Sequence, residues 1–171
     1  MKKYSRLAFK MVQFAVGLAV VIFSTYCGRA MAKRYKLRKC FFSEMWEFNT
    51  QFLTELGYGK RPLEELILSY PTRGEFVWLL SEVLRGRFER KKMPVDLAAY
   101  TYLTDDEKRF ILEYFQVLGK GDTHSQKLYF SQAGNSLQSL KIKAADEYGK
   151  KAELYTKLGF LAGLAILIIV V

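Results

Sequence analysis

The stretch YTKLGFLAGLAILIIVV, residues 155–171, is the most apolar part of the sequence and decides its fold class. It has no charged residue after Lys157 and no uncharged polar side chain after Thr156. As an α-helix, residues 158–171 would be about 21 Å long, and local thinning of a bilayer accommodates a span of that length. We therefore predict that residues 158–171 form a C-terminal transmembrane helix.

Two glycines within this stretch, Gly159 and Gly163, lie four residues apart in the arrangement LGFLAG. Residues at this spacing share one face of a helix, and small residues there let a second helix approach closely in lipid. We predict that this face packs on an earlier apolar segment, with Gly17 or Ala15 as its partners. The alternative is that both glycines are ordinary residues of a membrane helix, with no packing role.

The earlier segment is MVQFAVGLAVVIFSTYCG, residues 11–28, which contains no charged residue. Its helical length of about 27 Å is close to the roughly 30 Å of bilayer hydrocarbon. A cleaved signal peptide is the rival interpretation, because Ala30-Met31-Ala32 resembles a cleavage site. Arg29 beside that site and the basic cluster after it oppose translocation and cleavage. We therefore predict an uncleaved transmembrane helix over residues 7–28.

The net charge of +10 is concentrated around the first apolar segment. Residues 1–43 contain no acidic residue, whereas the basic and acidic residues from Glu44 onward cancel. A nucleic-acid-binding domain would carry its basic face on the folded body, so this distribution excludes nucleic acid as the expected partner. Basic residues are more frequent on the inner flank of each apolar segment, which predicts residues 29–157 in the cytoplasm and both termini outside.

Between the two spans, apolar residues recur at helical spacing and show no strand-like alternation. Two capping boxes, TRGE at 72–75 and TDDE at 104–107, indicate helix starts, and Asp122 is placed to cap the last helix. No proline interrupts the first or the last helix. We predict an all-α fold: an antiparallel helical bundle over residues 29–157, whose first and last helices continue into the membrane. The side chains expected to face its core are Phe41, Met45, Phe48, Phe52, Leu56, Leu63, Leu66, Ile67, Phe76, Leu80, Val83, Leu84, Phe88, Ile111, Tyr114, Phe115, Leu118, Phe130, Ala133, Leu137, Leu140, Ala144, Tyr148, Ala152 and Tyr155.

Residues that could support catalysis or metal binding are sparse in this sequence. His124 is the single histidine, and no other metal-ligating residue type accompanies it at ligand spacing. Cys27 and Cys40 lie in or beside the first span without a neighbouring histidine. The stretch LGKGDT, residues 118–123, lacks the Ser or Thr that follows the lysine of a phosphate-binding loop. We predict a protein that is not an enzyme and needs no cofactor or metal.

Two motifs resemble the stage III sporulation protein AB family. The C-terminal stretch has the family's basic and aromatic residues leading into Leu-Gly, a further glycine and a final aliphatic run. Leu118, Gly119, Asp122 and Gln126 fit an LG-x-x-D-x-x-x-Q pattern. With the paired terminal spans, this resemblance covers essentially the whole chain. It gives the motif positions no defined role, and helix capping and partner binding are both open.

The resemblance implies a component of the channel-like complex that links mother cell and forespore during endospore formation. The family's bundle is similar to the platform F protein of type II secretion systems, which implies a two-pass scaffold in the mother-cell membrane around the forespore. A secretion-type ATPase would be its cytosolic partner, and self-association into a homo-oligomer is compatible with that role. The alternative is another membrane-anchored helical adaptor of the same architecture.

Overall fold

The computed structural model describes residues 2–58, 63–70, 74–88 and 96–170. Within these ranges the chain forms helices and their connections, with no β-strand, which confirms the predicted all-α class. The α-helices are α1 (Lys2–Tyr58), α2 (Leu63–Ser69), α3 (Glu75–Phe88), α4 (Asp105–Val117), α5 (Thr123–Glu147) and α6 (Glu153–Val170). A 3₁₀ turn at Leu97–Ala99 precedes α4, and a π-helical turn at Tyr148–Ala152 joins α5 to α6.

The chain forms two compact units. The terminal unit consists of Met1–Lys36 and Asp146–Val171, and the bundle unit consists of Leu37–Ala145. The division falls inside α1 and inside α5. The terminal unit therefore extends past the predicted spans, residues 7–28 and 158–171, and includes the residues on the inner flank of each span.

Buried apolar side chains of the bundle unit confirm most of the predicted core. On α1, Phe41, Met45, Phe48 and Phe52 follow steps of four, three and four residues, and all are buried. The rings of Phe41 and Phe52 pack edge to face with rings of α3 and α5, and Tyr114 of α4 packs edge to face on Phe130 of α5, the arrangement that the ring quadrupole favours. Leu56, Leu63 and Leu140 are half-buried at its margin, and the side chains of Leu84 and Phe88 lie outside the described set.

An ion pair that the sequence analysis did not predict lies in the bundle unit. Arg38 on α1 donates from Nη2 to Oε1 of Glu107 on α4 at 2.6 Å, and both side chains are less than 9% exposed. Glu107 is also the last residue of the predicted capping box: its Oε2 accepts from the Thr104 N–H at 2.9 Å, and Thr104 Oγ1 accepts from the Glu107 N–H at 3.3 Å. This confirms the box at 104–107. The box at 72–75 begins at Thr72, which lies outside the described residues.

A buried asparagine connects three helices of the bundle unit. Asn49 on α1 donates from Nδ2 to the carbonyl oxygen of Phe130 on α5 at 3.1 Å. Its Oδ1 accepts from the hydroxyl of Tyr114 on α4 at 3.2 Å. Because both ends of this buried amide are satisfied, the network fixes the register of α1 against α4 and α5 without an unpaired polar atom at Asn49.

The helix after Thr123 contains one feature that its sequence does not indicate. A single uninterrupted helix was predicted, and the structure instead places a π-helical turn at Tyr148–Ala152 within it. A π turn accommodates one extra residue per turn, so the residues after it are rotated relative to those before it. Tyr148, Ala152 and Tyr155, predicted to face the bundle core, belong to the terminal unit and are half-buried there.

Candidate functional site

The first candidate site is the helix pair of the terminal unit, where Gly159 and Gly163 of α6 lie against α1. A Cβ atom added at Gly159 would lie 2.7 Å from the Ser24 carbonyl oxygen and 3.1 Å from the Gly28 Cα. One added at Gly163 would lie 2.7 Å from the Val21 Cα. Such distances are too short for any side chain, so both positions need glycine for this approach of the two backbones.

The contacts across this interface show the relative direction of α1 and α6. Gly28 lies opposite Gly159, Val21 lies opposite Gly163, and Gly17 lies opposite Leu167. The α1 positions decrease as the α6 positions increase, so the two helices are antiparallel. Gly17 thus lies in the interface, against a leucine side chain and not against either predicted glycine. Ala15, the other proposed partner, is exposed.

Two contacts that the sequence analysis missed complete the interface. A Cβ atom at Gly28 would lie 2.5 Å from the Tyr155 carbonyl oxygen, so Gly28 forms a glycine pair with Gly159. Ser24 donates its hydroxyl to the Gly159 carbonyl oxygen at 2.7 Å. Farther toward the inner flank, the rings of Tyr35 and Tyr155 stack with centroids 5.8 Å apart. The spacing of 17, 21, 24 and 28 on one helix face was the available signal for these partners.

Large apolar side chains cover the outer faces of this helix pair. Phe23 and Tyr26 on α1 and Ile168 and Ile169 on α6 are each at least 69% exposed. The described chain has two helices that are long and apolar enough to cross a membrane, Gln13–Gly57 and Thr123–Ile169. Only 17% and 11% of their most apolar stretches are buried. The core helix of a soluble protein would bury most of such a stretch.

The second candidate site is the connection between α4 and α5, which carries the motif Leu118, Gly119, Asp122 and Gln126. Leu118 is fully buried in the core of the bundle unit. Gly119 has a φ of +71° and ends α4, a conformation that glycine adopts without steric cost. Leu118 therefore fixes the α4–α5 connection to the core, and Gly119 allows the chain to turn after α4.

Asp122 and Gln126 hold the start of α5. The Asp122 carboxylate accepts from the Ser125 N–H at 2.9 Å and from the Ser125 hydroxyl at 2.6 Å. These hydrogen bonds lower the pKa of Asp122 below its usual value. Gln126, 8% exposed, donates from Nε2 to the Gly121 carbonyl oxygen at 3.2 Å, and its Oε1 has no hydrogen-bond partner. The motif thus forms a turn and a helix cap, and it leaves one buried amide oxygen of Gln126 unpaired.

The residues examined as catalytic or metal-binding candidates are dispersed. His124 is exposed in the first turn of α5, and Cys27 and Cys40 are exposed free thiols. Across the described ranges, no group of three His, Cys, Asp or Glu side chains is placed to hold a metal ion. Of the positions singled out in the sequence, those of the helix pair and of the α4–α5 connection are the ones that the described structure brings into specific contacts.

Comparison with protein families gave a match over nearly the whole chain. The family model for stage III sporulation protein AB matches residues 13–171, which is nearly the whole chain. Neither the curated proteins nor the solved structures gave a significant match.

Proposed function

The chain belongs to the stage III sporulation protein AB family, and we propose that it serves endospore formation as a non-enzymatic membrane scaffold. In this proposal the terminal unit spans the mother-cell membrane around the forespore, and the bundle unit presents a surface to cytosolic partners. Membership in a stage III sporulation family supports the sporulation role.

The observation that carries the membrane role is the construction of the helix pair. Its inner face is closed by Gly28, Gly159 and Gly163, whose backbone contacts leave no room for side chains. Its outer faces expose large aliphatic and aromatic side chains. In water this arrangement would leave a large apolar surface exposed. In a bilayer, the outer faces contact lipid, and the inner faces pack backbone to backbone, which is how helices associate in lipid.

We propose that residues 7–28 and 158–171 are the two spans and that the bundle unit faces the cytoplasm. The basic residues on the inner flank of the first span support this orientation. Arg38 does not contribute to that flank, because it is buried in the ion pair with Glu107. The other basic residues there are exposed: Arg29, Lys33, Arg34, Lys36 and Lys39.

We further propose that the bundle unit couples a secretion-type ATPase to the membrane complex. The support is the resemblance of the family's bundle to the platform protein of type II secretion, together with the rigidity expected of this core. The Asn49 network and the Arg38–Glu107 pair tie α1 to α4 and α5 through buried polar contacts. A bundle fixed in this way transmits force or position as one body.

A pull-down from sporulating cells tests the coupling. The full-length tagged chain is cross-linked in cells, solubilised in detergent and purified, and co-purifying proteins are identified by mass spectrometry. We expect a secretion-type ATPase to be recovered with the wild-type chain. The matched control is the same chain expressed in vegetative cells that lack the ATPase. Recovery of membrane-integrated chain without any ATPase from sporulating cells would contradict the proposed coupling.

A further inference from the structure

The terminal unit contains a cleft that is lined by three of the basic residues on the inner flank of the first proposed span. The cleft has a volume of about 520 Å³ and lies between the α1 segment after the first proposed span and the helix segment before the second. Its lining includes Arg29, Lys33 and Lys36 from α1, and Tyr148, Gly149 and Glu153 from the other side. This volume falls in the range of small-molecule sites, roughly 300–1,000 Å³.

The three basic residues share one side of α1 and carry uncompensated charge. Arg29, Lys33 and Lys36 are spaced by four and three residues, so their side chains line the same face of the helix. None of the three has an ion-pair partner among the described residues. The cleft therefore has unbalanced positive charge on its α1 wall.

The opposite wall does not neutralise this charge. Glu153 is the one acidic residue among those that line the described cleft, and it forms an ion pair with Lys157 at 2.6 Å. Lys150 and Lys151 pair with Asp146 and Glu147 along their own helix. An anion is thus the chemical complement that the cleft lacks.

The wall opposite α1 also has an irregular backbone. The π-helical turn at Tyr148–Ala152 includes Gly149, where an added Cβ atom would contact nothing within 4 Å. π turns occur often at functional sites, because they widen the helix locally and interrupt its regular hydrogen bonding. Here the π turn and the missing side chain at Gly149 leave open space on the wall opposite Arg29, Lys33 and Lys36.

We propose that this cleft binds the phosphate-bearing headgroup of an anionic phospholipid, such as phosphatidylglycerol. The proposal rests on the two-span topology proposed above, which places the cleft at the inner boundary of both spans. Arg29 follows the first span directly, and Tyr148 to Thr156 precede the second, so the cleft lies at headgroup depth. Basic pockets between transmembrane helices at the cytoplasmic boundary suit such headgroups. The exposed apolar residues Tyr26 and Leu158 lie beside the cleft in sequence and supply surface for acyl chains.

Spin-label electron paramagnetic resonance tests the proposal on the full-length chain. The protein is reconstituted in phosphatidylcholine vesicles that contain spin-labelled phosphatidylglycerol or spin-labelled phosphatidylcholine, and the motionally restricted fraction of each label is measured. We expect the wild-type chain to prefer the phosphatidylglycerol label. The double variant Lys33→Gln/Lys36→Gln should lose roughly fivefold or more of this preference, whereas Lys33→Arg/Lys36→Arg should retain it.

The matched control is Arg34→Gln/Lys39→Gln, which removes the same charge from the same basic segment at residues that do not line the cleft. We expect this control to keep the preference of the wild-type chain. An equal loss in both Gln variants would overturn the cleft as the site and would indicate general charge attraction. Equal restriction of both labels by the wild-type chain would also overturn the proposal.

Two further measurements complete the test. The first distinguishes a lipid phosphate from a free phosphate, and the second distinguishes a failure of the headgroup site from a failure of the two-span topology. Inorganic phosphate and chloride are each added at the same ionic strength. If phosphate displaces the restricted phosphatidylglycerol label and chloride does not, the cleft binds a free phosphate anion, and the proposed lipid headgroup is wrong. Extraction at high pH is measured on every sample. A chain that is washed from the vesicles would contradict the two-span topology itself, whereas an integrated chain without lipid preference would contradict the headgroup site alone.

Discussion

At the scale of single residues, the buried ion pair between Arg38 and Glu107 is a contact with a large expected effect on stability. Removing one partner leaves the other charged and desolvated, which typically costs about 3–5 kcal/mol. We expect Arg38→Met to destabilise the chain by that amount, as measured by unfolding of the detergent-solubilised protein followed by tryptophan fluorescence.

A double variant with substitutions at Arg38 and Glu107 separates the effect of the ion pair from the effect of the helix cap at Thr104. Glu107→Gln removes the charge but retains an amide oxygen that can accept from the Thr104 N–H. We expect Arg38→Met/Glu107→Gln to be more stable than the sum of the single losses predicts, because no unpaired charge remains. Strict additivity of the two substitutions would show that the pair does not couple the helices.

The threonine cap of α4 has a smaller and separable effect. Thr104→Ala removes the hydroxyl that accepts from the Glu107 N–H and should cost about 1 kcal/mol of unfolding free energy. Thr104→Ser keeps an oxygen in this place and serves as the control, with a much smaller expected loss. The same unfolding midpoint for the alanine variant and the wild-type chain would contradict the capping role.

Glu44 gives the bundle unit a defined pH dependence. Burial raises the pKa of Glu44, although its Oε2 accepts from the Phe76 N–H at 3.3 Å. A carboxyl group whose folded pKa is raised contributes stability below its unfolded pKa, and this contribution is lost as the pH rises through the folded value. We therefore expect Glu44→Gln to raise the thermal midpoint at about pH 7 and to have little effect near pH 4, close to the ordinary glutamate pKa.

Thermal unfolding at several pH values measures this difference. The control is Glu47→Gln, which removes a charge from an exposed residue of the same helix. An increase in midpoint that is the same at both pH values, or that occurs equally in the control, would contradict the role of burial at Glu44.

At the scale of helices, the packing of α6 on α1 depends on glycines at its contact points. Gly159→Ile and Gly163→Ile place side chains where the α1 backbone lies within 3.5 Å. We expect both variants to remain in the membrane, because the substitutions make the span more apolar, but to separate the two helices. Ala162→Ile adds a side chain of the same size on an exposed face of α6 and is the matched control.

Cross-linking measures this separation. Tyr35→Cys and Tyr155→Cys replace the stacked rings with a thiol pair, on a background in which Cys27 and Cys40 are serine. A short bismaleimide should join these thiols in the parent and in Ala162→Ile, and much less in the glycine variants. Equal cross-linking in all four proteins would mean that the glycines are ordinary residues of a membrane helix.

Periodicity predicted helix faces well and predicted the partners across them poorly. The steps of four and three residues from Phe41 to Phe52 indicate one face, and the structure buries that face. The pairing of Gly28 with Gly159 depends on the register between two distant segments, which neither segment encodes alone. The π turn was missed for a different reason, because residues 148–152 contain no proline that would indicate a break in the helix.

At the scale of the whole molecule, charge and hydropathy predicted the two apolar segments, but not where the chain divides into units. The divisions after Lys36 and after Ala145 fall within helices, where no proline or glycine indicates a boundary. Sequence position places Arg38 in the basic cluster that follows the first span, whereas the structure buries it against Glu107. A count by sequence position cannot distinguish a basic residue at the membrane surface from one paired in a core.

Both the scaffold role and the lipid site depend on the proposed topology, in which the bundle unit is cytoplasmic and the C-terminus lies on the other side of the membrane. Native Cys40 is exposed and lies on the proposed cytoplasmic side, so it reports that side once Cys27 is replaced by serine. A second protein carries one cysteine appended after Val171 and serine at both native positions. Each is expressed in cells and treated with a membrane-impermeant maleimide before and after permeabilisation. With the proposed topology, we expect the appended cysteine to react in intact cells and Cys40 to react only after permeabilisation. Reaction of Cys40 in intact cells, or protection of both thiols until permeabilisation, would contradict it.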